Sequence, residues 1–113
     1  MEYQIHTDGS INIVELAGDL DVSGAPALQE ALQQIIDNGG QQVVVNLGEV
    51  PFMDSSGLGV LVAAYRRMAA VGGQIALASP RPTLQKVFKL TRTDRLFKTF
   101  DQVNDAVAHM RDM

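Results

Sequence analysis

Short aliphatic runs alternate with segments whose apolar residues recur every third or fourth position, and this alternation restricts the chain to a layered sheet-and-helix fold. Positions 43–47 read Val-Val-Val-Asn-Leu and positions 74–78 read Gln-Ile-Ala-Leu-Ala. Runs this short and continuous suit strands covered on both faces. Around them lie four sets at helical spacing. These are Leu28, Leu32, Ile35 and Ile36; Leu58, Leu61, Val62, Tyr65 and Met68; Leu84, Val87 and Phe88; and Val103, Ala106, Val107 and Met110. Strands that alternate with helices pair in parallel through right-handed crossovers. Residues 3–17 are different. Two alternating segments flank Asp8-Gly9, the signal of a two-residue type I′ hairpin. A short strand is also expected at 96–100. The order ββαβαβαβα predicts an α/β fold: a mixed, mostly parallel β-sheet with an N-terminal β-hairpin and about four helices.

The punctuation agrees with these elements. Ser23 is expected to cap the first helix, with Pro26 in its first turn. Asn38-Gly39-Gly40 and Gly72-Gly73 stop the first two helices, and Asp101 is expected to cap the last. Gly18-Asp19-Leu20-Asp21 reads as a loop.

Composition narrows the function. At 113 residues the chain is expected to form one domain. Aromatics are 5% of it against 46% apolar residues in all, so the core must be aliphatic. The lack of Cys removes disulfides and thiolate zinc sites. No apolar run approaches ~18 residues, so membrane insertion is not expected. The polar start MEYQIHTDGS has no cationic-then-apolar export pattern, and a cytoplasmic location is expected. Charge is unevenly placed. The first 65 residues carry nine acids and no Lys or Arg. All nine basic residues follow, six of them (Arg81, Lys86, Lys89, Arg92, Arg95 and Lys98) within eighteen positions. This asymmetry suits either two solvated faces or a bipolar surface that orients a partner. The chain is acidic overall, and Phe88 and Phe97 read as core, so the basic cluster does not make a nucleic-acid site.

The stretch Val50-Pro51-Phe52-Met53-Asp54-Ser55-Ser56-Gly57-Leu58-Gly59 joins a buried strand to a helix. Asp54, Ser55 and Ser56 are all N-cap types. Gly57 and Gly59 are expected to leave the first turn open to approach from outside. A helix start offers unpaired amides and a partial positive charge, which favour an anion. A phosphate on Ser55 would bring about −1.5 to −2 charges beside Asp54 and the loop holding Asp19 and Asp21. An enzyme fits poorly. The only histidines, His6 and His109, lie near the two ends of the chain, and no G-x-S-x-G elbow surrounds Ser55. Two scattered histidines make no metal site. No catalytic residue, metal or cofactor is expected.

These features together resemble the STAS domain, and more narrowly its single-domain bacterial members, the anti-sigma factor antagonists. The resemblance rests on Gly18-Asp19-Leu20-Asp21, the strand at 43–47, the segment from Phe52 to Gly59, and Gly72-Gly73 before a strand. It spans residues 1–113 as a single STAS domain. It implies a monomeric, phosphorylation-controlled binding switch. The unphosphorylated form binds an anti-sigma factor that is also a serine kinase, which frees the sigma factor. Phosphorylation of Ser55 abolishes binding, and a phosphatase acting on phospho-Ser55 restores it. By the same resemblance Asp21 supports the acceptor and Ser56 matches a Ser/Thr position. Asp19, Asp54, Gly57, Leu58 and Gly59 complete the partner-binding surface. The alternative within the family is an accessory subunit of a lipid-transport ABC system, acting by protein contact without sigma control.

Overall fold

The computed structural model describes residues 1–112. Its strands are β1 (Glu2–Asp8), β2 (Ile11–Ala17), β3 (Gln42–Glu49), β4 (Gln74–Ala78) and β5 (Lys98–Phe100). Its helices are α1 (Ala25–Asp37), α2 (Ser55–Ala70), α3 (Pro82–Leu90) and α4 (Val103–Arg111), with a 3₁₀ turn at Thr93–Arg95. This is the expected element order. The strands form one sheet in the order β1-β2-β3-β4-β5, antiparallel at β1–β2 and parallel elsewhere.

Because the strand order follows the chain, each right-handed crossover returns on the same side of the sheet. Helices α1, α2 and α3 therefore share one face. Val43, Val45 and Leu47 point into that layer, with Leu28, Leu61, Leu84 and Phe88 from the helices. Alternate residues serve the other face, where Val44, Ala76 and Ala78 meet Ala106, Val107 and Met110 of α4. A strand covered on both faces has no polar side, which is why residues 43–45 are all valine.

Several local expectations need correction. Asp8 pairs with Ile11, so the hairpin loop is Gly9-Ser10. Only Gly9 has positive φ (61°), whereas type I′ needs it at both loop residues. Ser23 does not cap α1. The N-cap is Gly24, already near-helical, and the Asp21 carboxylate accepts the Ser23 and Gly24 amides at 3.0 and 2.9 Å. Nor does Asp101 cap α4. The N-cap there is Gln102, while the Asp101 carbonyl accepts the Ser79 hydroxyl at 3.0 Å. The last strand is shorter than expected. The 3₁₀ turn after Arg92, whose φ is 61°, swings Phe97 into the core. There its ring meets Tyr65 edge-on, with centroids 5.7 Å apart. The buried stripe of α2 is Gly57, Leu61, Ala64 and Met68; Leu58, Val62 and Tyr65 flank it, half-buried.

Candidate functional site

The start of α2 is made by Asp54. Its backbone is extended (φ −110°, ψ −171°), and its carboxylate accepts the Ser56 and Gly57 amides at 2.8 and 3.3 Å. Asp54 donates its own amide to the Leu20 carbonyl at 3.3 Å. Three of the first four donors of the helix are thus engaged. The expected set of free amides at the helix start is therefore not there: the chain's own carboxylate takes the place an anion would occupy. Of these four amides, that of Ser55 has no bond.

Residues 18–21 lie against this start. After β2 the chain keeps running beside the segment that leaves β3. Gly18 donates to Glu49, Leu20 donates to the Phe52 carbonyl at 2.9 Å, and Leu20 and Met53 form a parallel bridge. The loop therefore brings Asp19 and Asp21 to the same end of the sheet as Asp54 and Ser55. Asp21 has a structural task there, since its carboxylate and carbonyl organise the turn into α1.

Gly57 is not an opening to solvent, as its small size suggested. It is buried, and a Cβ on it would fall 2.3 Å from the Leu20 carbonyl oxygen. Gly24, at the start of α1, meets the same loop from the other side. A Cβ there would fall 2.1 Å from the Asp19 carbonyl oxygen. The loop is clamped between two helix starts that admit only glycine at the contact. Gly59 does match expectation, being exposed with open space around it.

The two helix starts share a four-residue pattern. Asp21-Val22-Ser23-Gly24 and Asp54-Ser55-Ser56-Gly57 are both D-x-S-G. In each, the Asp carboxylate takes the amides two and three residues on, and the Gly presses on the loop. In each, the variable second residue is exposed.

Of the expected site residues, Asp19 and Ser55 are exposed and Asp21, Asp54 and Ser56 are half-buried. Leu58 turns partly into the core. Sequence reading missed Val22 and Phe52. They are 72% and 51% exposed, and they flank Asp21 and Asp54 in the chain. An apolar pair beside an acidic rim and a free hydroxyl is suited to protein contact. His6 is exposed on edge strand β1, and His109 sits on α4 against Phe100 and Lys98. Among the described residues there is no cluster of three metal-type side chains, and no helix is long and apolar enough to cross a membrane.

This arrangement, a mixed five-stranded sheet with a clamped acidic loop beside a serine-bearing helix start, matches a known family. The family model for the STAS domain covers residues 2–106, and the chain belongs to that family. Within it, the anti-sigma-B factor antagonist of Bacillus subtilis (strain 168) is 35% identical over 78 residues, 69% of this chain and 71% of that one. The crystal structure of an anti-sigma factor antagonist from Mycobacterium paratuberculosis shares the fold with a TM-score of 0.89 at 24% identity, covering 97% of this chain and 93% of that one. The anti-sigma factor antagonist SpoIIAA in its unphosphorylated form matches with a TM-score of 0.79 at 25% identity, covering 99% of this chain and all of that one. The phosphorylated form of Bacillus SpoIIAA matches with 0.76 at 24% identity, covering 96% and 99%.

Proposed function

We propose that this chain is an anti-sigma factor antagonist: a single-domain, non-enzymatic binding protein of the cytoplasm that a kinase turns off at Ser55. The observation that carries the reading is the position of Ser55. It is the exposed first residue of α2, directly after the capping Asp54 and three positions after exposed Phe52. The kinship favours sigma-factor control over the lipid-transport role. The partner is an anti-sigma factor with serine kinase activity, which docks on Val22, Phe52 and the rim of Asp19, Asp21, Asp54 and Ser56. A phosphatase acting on phospho-Ser55 resets the surface.

The switch works by local charge and bulk. Asp54 already caps α2, so a Ser55 phosphate gains little from the helix start and is directed outward. It meets Asp54 next door, with Asp19 and Asp21 on the neighbouring loop, and no Lys or Arg within the first 65 residues. Arg81, which reaches this end of the sheet, is engaged by the Gly48 carbonyl at 2.9 Å and lies 3.7 Å from Glu49. The dianion therefore stays uncompensated and repels a partner fitted to the unmodified surface. That both forms of SpoIIAA share this fold supports a switch that leaves the sheet as it is.

The test is to incubate the full chain with its co-purified kinase and ATP and to map the product by mass spectrometry. Modification at Ser55, lost in Ser55→Ala, is expected. Modification mainly at Ser56 would sink the assignment. Exposed charges are screened over ~10 Å at 0.1 M salt, so a partner excluded by charge alone would rebind the phosphorylated form at high salt. We expect partial rebinding, with bulk excluding the rest.

A further inference from the structure

A cleft away from the two helix starts carries chemistry that the proposed switch does not use. It measures ≈ 250 Å³ and lies where the C-terminal half of α2, the start of β4, β5 and the end of α4 meet. Tyr65, on its wall, stands about 15 Å along the axis of α2 from Ser55. Tyr65, Ile75, Leu96 and Met110 supply apolar surface, and Lys98 and His109 converge among them. The Lys98 Nζ is 3.4 Å from the His109 Nε2.

The Lys98 ammonium has only donors, so in this contact it donates and the His109 Nε2 accepts. No Asp or Glu lines the cleft. Among the described residues the ion pairs are Arg81–Glu49 and Arg111–Asp8, and neither involves this pair. The His109 ring lies against Phe100, with centroids 5.3 Å apart, and the Lys98 backbone pairs in β5 opposite Ala76, with its side chain exposed. Beside them Leu96 leaves 37% of its surface exposed. An apolar wall with a few convergent polar groups is the usual make-up of a small-molecule site.

We propose that this cleft binds a small amphiphilic carboxylate. The head accepts short, charge-assisted hydrogen bonds from the Lys98 ammonium, which the His109 Nε2 orients. The hydrocarbon tail lies on Ile75, Leu96 and Met110 and is withdrawn from water there. A bare anion would leave that wall unused, and a neutral amphiphile would leave the ammonium unused. The site is independent of Ser55 and stands whether or not the switch does.

The test is a titration of the ¹⁵N-labelled full chain with sodium octanoate at fixed pH and ionic strength. Acetate, inorganic phosphate and octan-1-ol serve as comparison probes. Saturable shifts centred on Ile75, Ala76, Lys98 and His109 are expected. Lys98→Gln should weaken octanoate about tenfold, with the remaining spectrum showing that the fold is intact. His109→Gln disturbs the acceptor that orients the ammonium and should also weaken octanoate. Acetate, phosphate and octanol should each bind at least about tenfold more weakly than octanoate. Linear shifts, shifts centred elsewhere, or equal affinity in Lys98→Gln and His109→Gln would overturn the proposal. So would acetate or phosphate binding as well as octanoate, which would make this a bare anion site. Octanol binding as well as octanoate would overturn it too, by removing Lys98 and His109 from recognition.

Discussion

The two D-x-S-G turns use one backbone device to present different side chains. At the start of α1 the exposed residue is Val22; at the start of α2 it is Ser55. Everything that fixes the turn is common to both, namely a carboxylate on the amides two and three residues on and a glycine against the central loop. They differ in where the Asp stands relative to its helix. Asp54 is itself the N-cap of α2, whereas Asp21 acts from three residues before the N-cap Gly24 of α1. The comparison teaches that holding the surface and changing it are assigned to separate residues. Glycines and aspartates hold it, while Val22 and Ser55 can vary at little structural cost.

Variants at paired positions can break this comparison. The largest effect is expected at the glycines. Gly57→Val and Gly24→Val both force side chains onto loop carbonyls and should each cost about 3 kcal/mol in urea unfolding. Gly59→Ala, in open space, should instead stabilise by up to about 1 kcal/mol. If Gly24→Val were tolerated, the two clamps would not be equivalent. Next, Phe52→Ser and Val22→Ser should each weaken the kinase partner about tenfold in calorimetry, with stability changed by less than about 0.5 kcal/mol. Leu90→Ser, equally apolar and 84% exposed but on α3, should leave that affinity unchanged.

Removing a carboxylate comes third. Asp54→Ala should cost about 1 kcal/mol, and Asp21→Ala somewhat less, because Asp21 does not cap from the N-cap position. Thermal unfolding read by circular dichroism will order them; a larger loss at Asp21 would reverse the assignment. The smallest stability effect belongs to the variable positions. Ser55→Ala should stay within about 0.5 kcal/mol of the native chain while abolishing phosphorylation. The Val22→Ser variant writes Asp-Ser-Ser-Gly into the first turn as well. Mass spectrometry should still find phosphate at Ser55 alone, and modification at position 22 would show that the turn by itself recruits the kinase.

Much of this could be read from the chain. The three consecutive valines at 43–45 require a strand covered on both faces, and Asp54 before Ser55 marks a helix start. The Gly-Asp-Leu-Asp loop was placed beside that start, and the Leu20–Met53 bridge bears this out. What could not be read depends on contacts between distant segments. Gly57 looked like an opening, because a glycine's lack of bulk says nothing of what fills the space. Ser23 and Asp101 have good capping chemistry, but the chain turns into helix one residue later in both places. Val22 and Phe52 are apolar residues outside any periodic set. Their exposure follows from loop geometry that no periodicity encodes. The repeated D-x-S-G was visible at 21–24 and 54–57, and only the shared hydrogen bonding gives it meaning.

The clamp on residues 18–21 also bears on how the surface comes into being. Leu20 and Met53 are brought together across a long loop, and closing such a loop is repaid only when the α1–β3 crossover between them has docked. No short peptide cut from this chain can reproduce that surface, because its acids and its serine come from segments joined only in the folded state. On the proposed switch the acceptor is a property of the fold, so a chain still folding, or one damaged and unfolding, would not offer it. Such a regulator would report its own integrity, since only intact molecules would enter the cycle of capture and release.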